Sequence, residues 1–419
     1  MQNSVSFGSE ENLLSMMERR RKAGVVWQAV FLFSTSLAIL FLILLLFSVI
    51  DSTFGFAAIR YEKKPSELMV GKSQLSDFSR QELEETAKTH LSSGILRRVE
   101  YEKPIADRTD KDLIGILEQY VLQPSVLRTW GLWASLTKQG EINEYLFDQG
   151  DAVLTFKSWL TIDFLFADQS ANPLYAGIRT AMLGSLWIIL ITFLFAFPIG
   201  VGSAIYLEEY AKPTRLTRLL QLNIFNLSAV PSIIYGLLGL AVFVRAMETF
   251  TSGSLFSGVA DTTANGRTIL SGGLTLGLLV LPIIIINTQE ALKAVPDSLR
   301  MSSYGIGATK WQTIWGQVLP VSIDRILTGT ILALSRALGE TAPLVVIGAS
   351  TFISVDPSGI FSKFTTLPIQ IYQWSARPQG AYRNVAGAAI IALLILLMAL
   401  NSSAIILRDK LSKKKRMEA

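Results

Sequence analysis

Six apolar runs of roughly membrane-crossing length constrain this chain more than any other feature. They centre on residues 26–50, 178–207, 219–244, 274–288, 326–352 and 385–407. A helix rises 1.5 Å per residue, so about 20 apolar residues cross the hydrocarbon core of a bilayer. A soluble domain has no need of several separate runs of that length. The fourth run is the shortest and is expected to extend back through Gly272 and Gly273. The pattern predicts an all-α polytopic membrane protein with six transmembrane helices.

Charge placement orients those helices. Arg19, Arg20, Arg21 and Lys22 precede the first run, and Lys212, Arg215 and Arg218 lie between the second and third. Lys293, Arg300 and Lys310 lie between the fourth and fifth. Arg408, Lys410 and the basic run 413–416 follow the sixth. Basic residues collect on the cytoplasmic side, so both termini are expected there, with an even number of crossings. The terminal basic runs then serve orientation and contact with anionic lipid, and nucleic acid is not an expected partner. The first apolar run is longer than a signal-peptide core and reads as a retained anchor.

The chain has no cysteine and one histidine, His90. Disulfides and thiolate metal sites are excluded, and a metal centre of several histidines cannot form within it. No Gly-x4-Gly-Lys-Ser/Thr loop is present, so no ATP site of that kind is expected. No bound cofactor and no metal site are expected, and the chain reads as a non-enzyme whose energy source is a partner.

The expected organisation is a cytoplasmic tail at 1–24, a transmembrane helix at 25–50, an outer insertion at 51–174, a five-helix core at 175–408 and a basic tail at 409–419. A short surface helix is expected over 13–22. The insertion is rich in charge and lacks long apolar runs, which predicts a soluble unit, mixed or mostly helical. Ser79 and Glu82 fit a capping box ahead of a charged helix. Residues 110–121 carry apolar positions at helical spacing. Residues 153–166 suit a strand or an interfacial helix. Trp130, Trp133 and Trp159 suit either the membrane surface or a small domain's core. The outer loop 246–271 is rich in Gly, Ser and Thr, and the outer loop 354–383 holds Tyr372, Trp374 and Pro378.

Residues 288–347 carry the sharpest functional signal. A polar, basic, amphipathic stretch lies between two apolar runs. Within it, Gly305 and Gly307 permit a tight turn. Trp311 and Trp315 offer large, rigid contact surfaces. Leu319 and Pro320 are expected to end the segment, because proline cannot continue a helix without losing a hydrogen bond. Amphipathicity alone fits a partner-docking helix and an ordinary interfacial helix equally well. The following run reads SRALGETAPLVVI and carries Arg336 and Glu340, four residues apart and so expected on one helix face at membrane depth.

Gly307 followed by Leu319-Pro320 resembles the coupling motif of ABC importer permeases, which reads Glu-Ala-Ala and ends in Gly-x9-Ile-x-Leu-Pro. Here the Glu-Ala-Ala falls on Met301, Ser302 and Ser303, and the Ile on Gln317. FPIGVGSAIYLEEYA at 197–211, VPSIIYGLLGL at 230–240, TQEALKAVP at 288–296, IGATKWQTIW at 306–315 and SRALGETAPL at 335–344 are together similar to the PstA family of phosphate ABC transporter permeases. The likeness runs from residue 178 to the C-terminus. Thr341-Ala342-Pro343-Leu344 favours that family over its PstC sister, and the long insertion resembles its longer bacterial variants.

The resemblance implies a type I ABC importer permease fold in a bacterial inner membrane, with segment 297–320 as the coupling element. It also implies a PstC-like sister permease, a PstB-like ATPase dimer that uses ATP and Mg, and a PstS-like phosphate-binding protein. On that reading Gly305, Gly307, Trp311, Trp315, Leu319 and Pro320 face the ATPase. Arg336, Glu340, Thr341 and Ser335 are the candidates for the translocation path of inorganic phosphate. A guanidinium can hold phosphate oxygens with two parallel hydrogen bonds. A carboxylate can accept phosphate's remaining proton while repelling a fully ionised oxyanion. The competing reading is a structural ion pair that neutralises itself, or a bridge to the sister subunit.

Ser228 and Asn287 are further polar candidates, although such groups commonly bond backbone carbonyls inside membranes. Arg179 and Arg245 near outer helix ends suit anion attraction or snorkelling. Pro198, Pro231, Pro282 and Pro343 are expected at kinks. The competing readings are a permease for another oxyanion and a phosphate-status sensor or scaffold. A secondary transporter would leave the coupling motif unexplained.

Overall fold

The computed structural model describes residues 10–63, 75–257, 265–349, 352–353 and 355–418. Parts of the expected N-terminal tail and of the outer loops lie outside them. Among the described residues, five helices are long and apolar enough to cross a membrane, and a bent pair supplies a sixth.

Helix α1 (Glu10–Thr53) takes in the first apolar run and also the stretch expected as a separate surface helix. It leads without a linker into strand β1 (Phe54–Arg60). Helices α2 (Arg80–His90), α3 (Ser93–Glu102) and α4 (Asp110–Leu117) follow, with a wide π-helical turn at Glu118–Leu122 closing α4. The Ser79 amide donates to Glu82 at 2.6 Å, as the capping pattern requires. Strand β2 (Ser125–Thr129), helices α5 (Leu132–Thr137) and α6 (Gln139–Gln149), strand β3 (Val153–Ser158) and helix α7 (Ile162–Phe166) complete the insertion.

The three strands form an antiparallel sheet in the order β2-β1-β3. Residues 153–166, open between strand and helix from the sequence, are a strand followed by a helix. The insertion has three apolar centres, one of them built on Ala58, Trp130 and Ile142. Leu83, Leu113, Leu117 and Leu122 pack under α2 and α4. Ala57, Trp159 and Phe164 join the outer ends of the membrane helices. Trp130 and Trp159 are core residues, whereas Trp133 is exposed.

Helix α8 (Arg179–Ile205) ends in a π-helical turn, Tyr206–Tyr210. The third run is not one straight helix. Helices α9 (Arg215–Ser228) and α10 (Ser232–Gly239) meet at 104°, with Pro231 at the corner. A π-helical stretch, Leu240–Ala246, carries α10 outward. Helix α11 (Ile269–Lys293) takes in Gly272 and Gly273, as its length demanded. It packs against α8 through close approaches at Gly273 and Gly277, where an added Cβ would lie 2.5 Å from Ile191 and from Phe195. Pro198 and Pro282 lie inside continuous helices rather than at breaks.

Between the fourth and fifth runs, helix α12 (Asp297–Gly305) turns into α13 (Lys310–Thr313). A π-helical turn, Ile314–Val318, then leads into α14 (Leu319–Gly339), and Lys310–Gly339 forms one span of 30 residues. Pro320 therefore does not end the segment. It sits in the first turn of α14, where the missing amide costs nothing in the ladder.

The fifth run, expected unbroken over 326–352, stops at Gly339 and resumes as helix α15 (Ala342–Ile347). Helix α16 (Leu367–Ser375) lies in the second outer loop and buries Trp374 while Tyr372 stays exposed. The last helix, α17 (Gly380–Glu418), carries the sixth run and the basic run 413–416.

Candidate translocation and coupling sites

Two regions bring the expected residues together. The first is the break between α14 and α15. Glu340 follows the last helical residue of α14 and has extended backbone (φ −77°, ψ 121°). Pro343 in the first turn of α15 suits the restart, since an opening turn leaves the amide that proline lacks without a helical partner. The break is held from the side by α10. A Cβ on Gly236 would stand 2.8 Å from Pro343 Cα and 2.9 Å from its carbonyl oxygen, so only glycine allows this approach.

Depth follows from the neighbouring helix. Gly329 of α14 lies against Asn287 of α11, six residues from the inner end of that 25-residue helix. At 1.5 Å per residue Asn287 is about 9 Å from that end, and Arg336 lies about 10 Å farther out, near the middle of α11. Arg336 is thus level with the middle of α11, but its side chain is not enclosed by this chain. The Arg336 side chain is 60% exposed in the isolated chain and Glu340 is 21% exposed. Arg336 Nε and Glu340 Oε1 are 3.6 Å apart, within ion-pair range and beyond a good hydrogen bond. The two residues remain neighbours, although Glu340 has left the helix that carries Arg336.

The other path candidates divide. Thr341 precedes α15, partly buried, with no capping bond from its side chain. Ser335 is tied back: its hydroxyl donates to the Ile331 carbonyl at 2.8 Å and contacts Asn401 of α17. Asn287 donates to the Gly329 carbonyl at 3.4 Å and Ser228 to the Phe225 carbonyl at 2.7 Å. These three polar groups satisfy helix backbone.

The second region is the elbow formed by α12 and α13. Gly307 has φ +86°, and nothing lies within 4 Å of where its Cβ would be, so backbone conformation rather than space calls for glycine. Gly305 is helical, the last residue of α12. Thr309 caps α13, its hydroxyl accepting from the Gln312 amide while its own amide donates to Gln312 Oε1 at 2.9 Å. Ser303 and Thr313 share a buried hydroxyl contact at 2.9 Å that fixes α12 against α13. Ile314 and Val318 are fully buried. The opposite face shows Met301, Ile306, Trp311 and Trp315 to the outside, with the two indoles stacked at 5.6 Å between centroids. Leu319 is packed inward, beside Leu292 and Val318.

The sequence reading missed what anchors this elbow. Arg300 reaches Glu209 Oε1 at 2.9 Å and donates to the carbonyls of Leu292 at 2.9 Å and Val295 at 2.8 Å. Both side chains are largely buried. Burial opposes the charge on Arg300, yet its bond to Glu209 and the nearby Asp297 and Glu208 hold its pKa above the usual arginine value. Glu208 also pairs with Lys293 at 3.6 Å. The only signal in the sequence was two opposite charges placed just past the inner ends of separate spans.

Arg179, expected to attract anion or to snorkel, has partners in the outer loops that the sequence did not announce. Its guanidinium pairs with Asp168 of the insertion and, at 2.9 Å, with Asp356 of the second outer loop. Thr180 also donates to Asp356, at 2.9 Å.

With this geometry in view, similarity to known proteins is informative. The chain is 30% identical over 255 residues to the probable ABC transporter permease protein YqgI of Bacillus subtilis, covering 57% of this chain and 81% of the relative. It is 34% identical over 254 residues to the phosphate transport system permease protein PstA of Yersinia pestis, covering 60% and 78%. A third relative, PstA of Haemophilus influenzae, is 34% identical over 241 residues, covering 57% and 78%. The PstA-type resemblance read from the motifs is thereby borne out. A solved inward-facing MetNI methionine transporter chain overlaps at a TM-score of 0.42 with 18% identity, over 56% of this chain and 97% of that one, too loosely to build on. Residues 196–417 match the model of one family, and the chain belongs to it: the inner membrane components of binding-protein-dependent transport systems.

Proposed function

We propose that this chain is the transmembrane permease subunit of an ATP-driven importer of inorganic phosphate in a bacterial inner membrane, with both termini cytoplasmic. The observation that carries the reading is the broken helix at Glu340. It leaves a guanidinium beside a carboxylate at mid-membrane depth, open on the side that faces away from this chain. Charges at that depth are costly and mark transport paths. An exposed arginine there needs something outside the chain to face, and a sister permease enclosing a shared path provides it. Arg336 holds phosphate oxygens, Glu340 accepts phosphate's proton in a hydrogen bond, and Thr341 lines the same break. The PstA relatives support phosphate over other oxyanions.

The elbow formed by α12 and α13 couples this path to an ATPase dimer. Its exposed Trp311 and Trp315 dock on the motor, which hydrolyses ATP with Mg, while Gly307 sets the turn. Leu319 and Pro320 join the elbow to α14, so displacement of the elbow is delivered to the helix that carries Arg336. The chain itself performs no chemistry. A phosphate-binding protein delivers substrate to the outer side.

Reconstitution in proteoliposomes with the partner subunits tests this. Arg336→Gln is expected to abolish phosphate uptake while the complex still assembles, and normal uptake by an assembled variant would sink the reading. Competition by sulfate or molybdate separates this reading from that of another oxyanion importer: excess of either should leave phosphate uptake unchanged.

A further inference from the structure

We propose that the insertion domain is seated in the outer leaflet of the bilayer through a rim built from α5 and α7, with Trp133, Leu136, Ile162 and Phe166 in contact with lipid. The rim stands independently of what the permease transports.

Backbone contacts to the membrane spans set its level. Asp51 is the first charged residue after Lys22, and so marks where α1 leaves the apolar layer. The Trp133 amide, in the first turn of α5, donates to Asp51 Oδ1 at 2.6 Å. A Cβ on Gly131 would stand 2.3 Å from the same carboxylate, so the start of α5 is pressed against the end of α1. On the other side of the sheet, the Trp159 amide donates to the Thr53 carbonyl at 3.1 Å. Helix α7 is fixed to the outer end of α8, with the Ile178 amide on the Phe164 carbonyl at 3.0 Å and Arg179 Nη1 on the Phe166 carbonyl at 2.9 Å. Both helices therefore lie where the spans emerge.

At that level the side chains divide by direction. Trp130, Trp159 and Phe164 point into the domain and are buried. Trp133, Leu136, Ile162 and Phe166 point out, each more than half exposed. Helix α5 starts against the end of α1, and Phe47 and Ile50 are themselves exposed in the last turns of α1. An apolar surface that continues a transmembrane helix past its end, and carries an indole at the boundary, matches the layer where acyl chains meet headgroups. Left in water, a patch of this kind would be costly.

Exposure alone would not separate this rim from the rest of the domain. Phe147 is still more exposed. It belongs to the far end, beyond strand β1. Arg60, at the distal end of β1, bonds Gln149 at 2.9 Å, near Phe147. Seven residues of strand at about 3.3 Å each place that end roughly 20 Å from the rim. Position and exposure together pick out four side chains.

The absence of cysteine makes the test direct. Trp133→Cys, Leu136→Cys, Ile162→Cys and Phe166→Cys are each nitroxide-labelled in the full chain, reconstituted in phospholipid vesicles. Collision with oxygen is compared with collision with a water-soluble nickel chelate. Oxygen should dominate at all four positions, and the nickel chelate at Phe147→Cys. Rim positions that match this distal control would overturn the proposal. So would rim positions shielded from both reagents, which would place a protein partner on this surface. Because α5 and α7 are separate helices, failure of one variant to fold leaves the other helix to report. A label-free check is Trp133→Phe, which should remove part of the tryptophan fluorescence quenched by lipids brominated near the headgroup. Unchanged quenching would count against the rim.

Discussion

Two arginine–glutamate pairs in this chain have the same composition and opposite character. Arg300 and Glu209 meet at 2.9 Å with side chains 15% and 7% exposed, and the guanidinium also takes two backbone carbonyls. Arg336 and Glu340 stand 3.6 Å apart with side chains 60% and 21% exposed. The first pair joins the inner ends of two spans across ninety-one positions of sequence, and its donors are directed at fixed partners. The second is local, four residues apart, and lies where a helix has been interrupted. A charge whose hydrogen bonds are completed within its own chain holds a framework. A charge left half open at membrane depth is available to something outside the chain.

Substitutions sharpen this comparison. The largest expected effect is from Arg300→Ala, which leaves Glu209 buried without its partner. Removing one member of a buried pair costs about 3–5 kcal/mol. Thermal unfolding in detergent should fall accordingly, and the elbow should lose its hold on the motor. An unchanged melting temperature would show that the Arg300 pair is no more structural than the Arg336 pair.

Gly236→Val comes next. Its side chain would collide with Pro343, and overpacking of this kind costs about 1–3 kcal/mol. It should also reduce uptake by displacing Glu340, although it removes no charge. Full uptake would detach the helix break from the path.

Arg336→Gln is expected to change stability by less than about 1 kcal/mol, as for exposed ion pairs generally, while uptake is lost. A large loss of stability would make this pair structural and erase the contrast.

The smallest effect concerns a third glutamate, Glu118 in the insertion. Burial raises its pKa, against the opposing charge of Lys157. The folded state therefore holds this proton more tightly than the unfolded state. At neutral pH the buried charge lowers stability. That penalty is relieved as pH falls through the raised folded value, and it is gone below the unfolded value of about 4.3. Glu118→Gln should flatten the pH dependence of unfolding in that window. An unaltered slope would remove Glu118 from the account.

Much of the architecture was legible in the sequence. Apolar length gave the number of spans, because crossing a bilayer requires about 20 apolar residues whatever they pack against, but not the bend in the third or the bounds of the fifth. Gly307 was legible because a positive φ restricts the choice of residue. The sheet was not. Strand β1 directly continues a transmembrane run and is buried at consecutive positions Ala57, Ala58 and Ile59, so no alternation announced it. The role of Arg179 was hidden for a related reason, since Asp356 is far away in sequence and only folding brings it near. Pro320 misled because proline ends a helix in its interior but is harmless in a first turn.

The sequence alone determined the membrane class, the family and the residue types at the two candidate sites. These rest on composition, charge placement and short motifs, all of which are local. Tertiary structure decided which arginine is enclosed and which is open, where the fifth span breaks, and which tryptophans turn inward. Those outcomes depend on the approach of segments far apart in the chain: Gly236 against Pro343, Glu209 against Arg300, Asp51 against Gly131. Burial and pairing are properties of the packed neighbours, and a residue's own identity does not specify them.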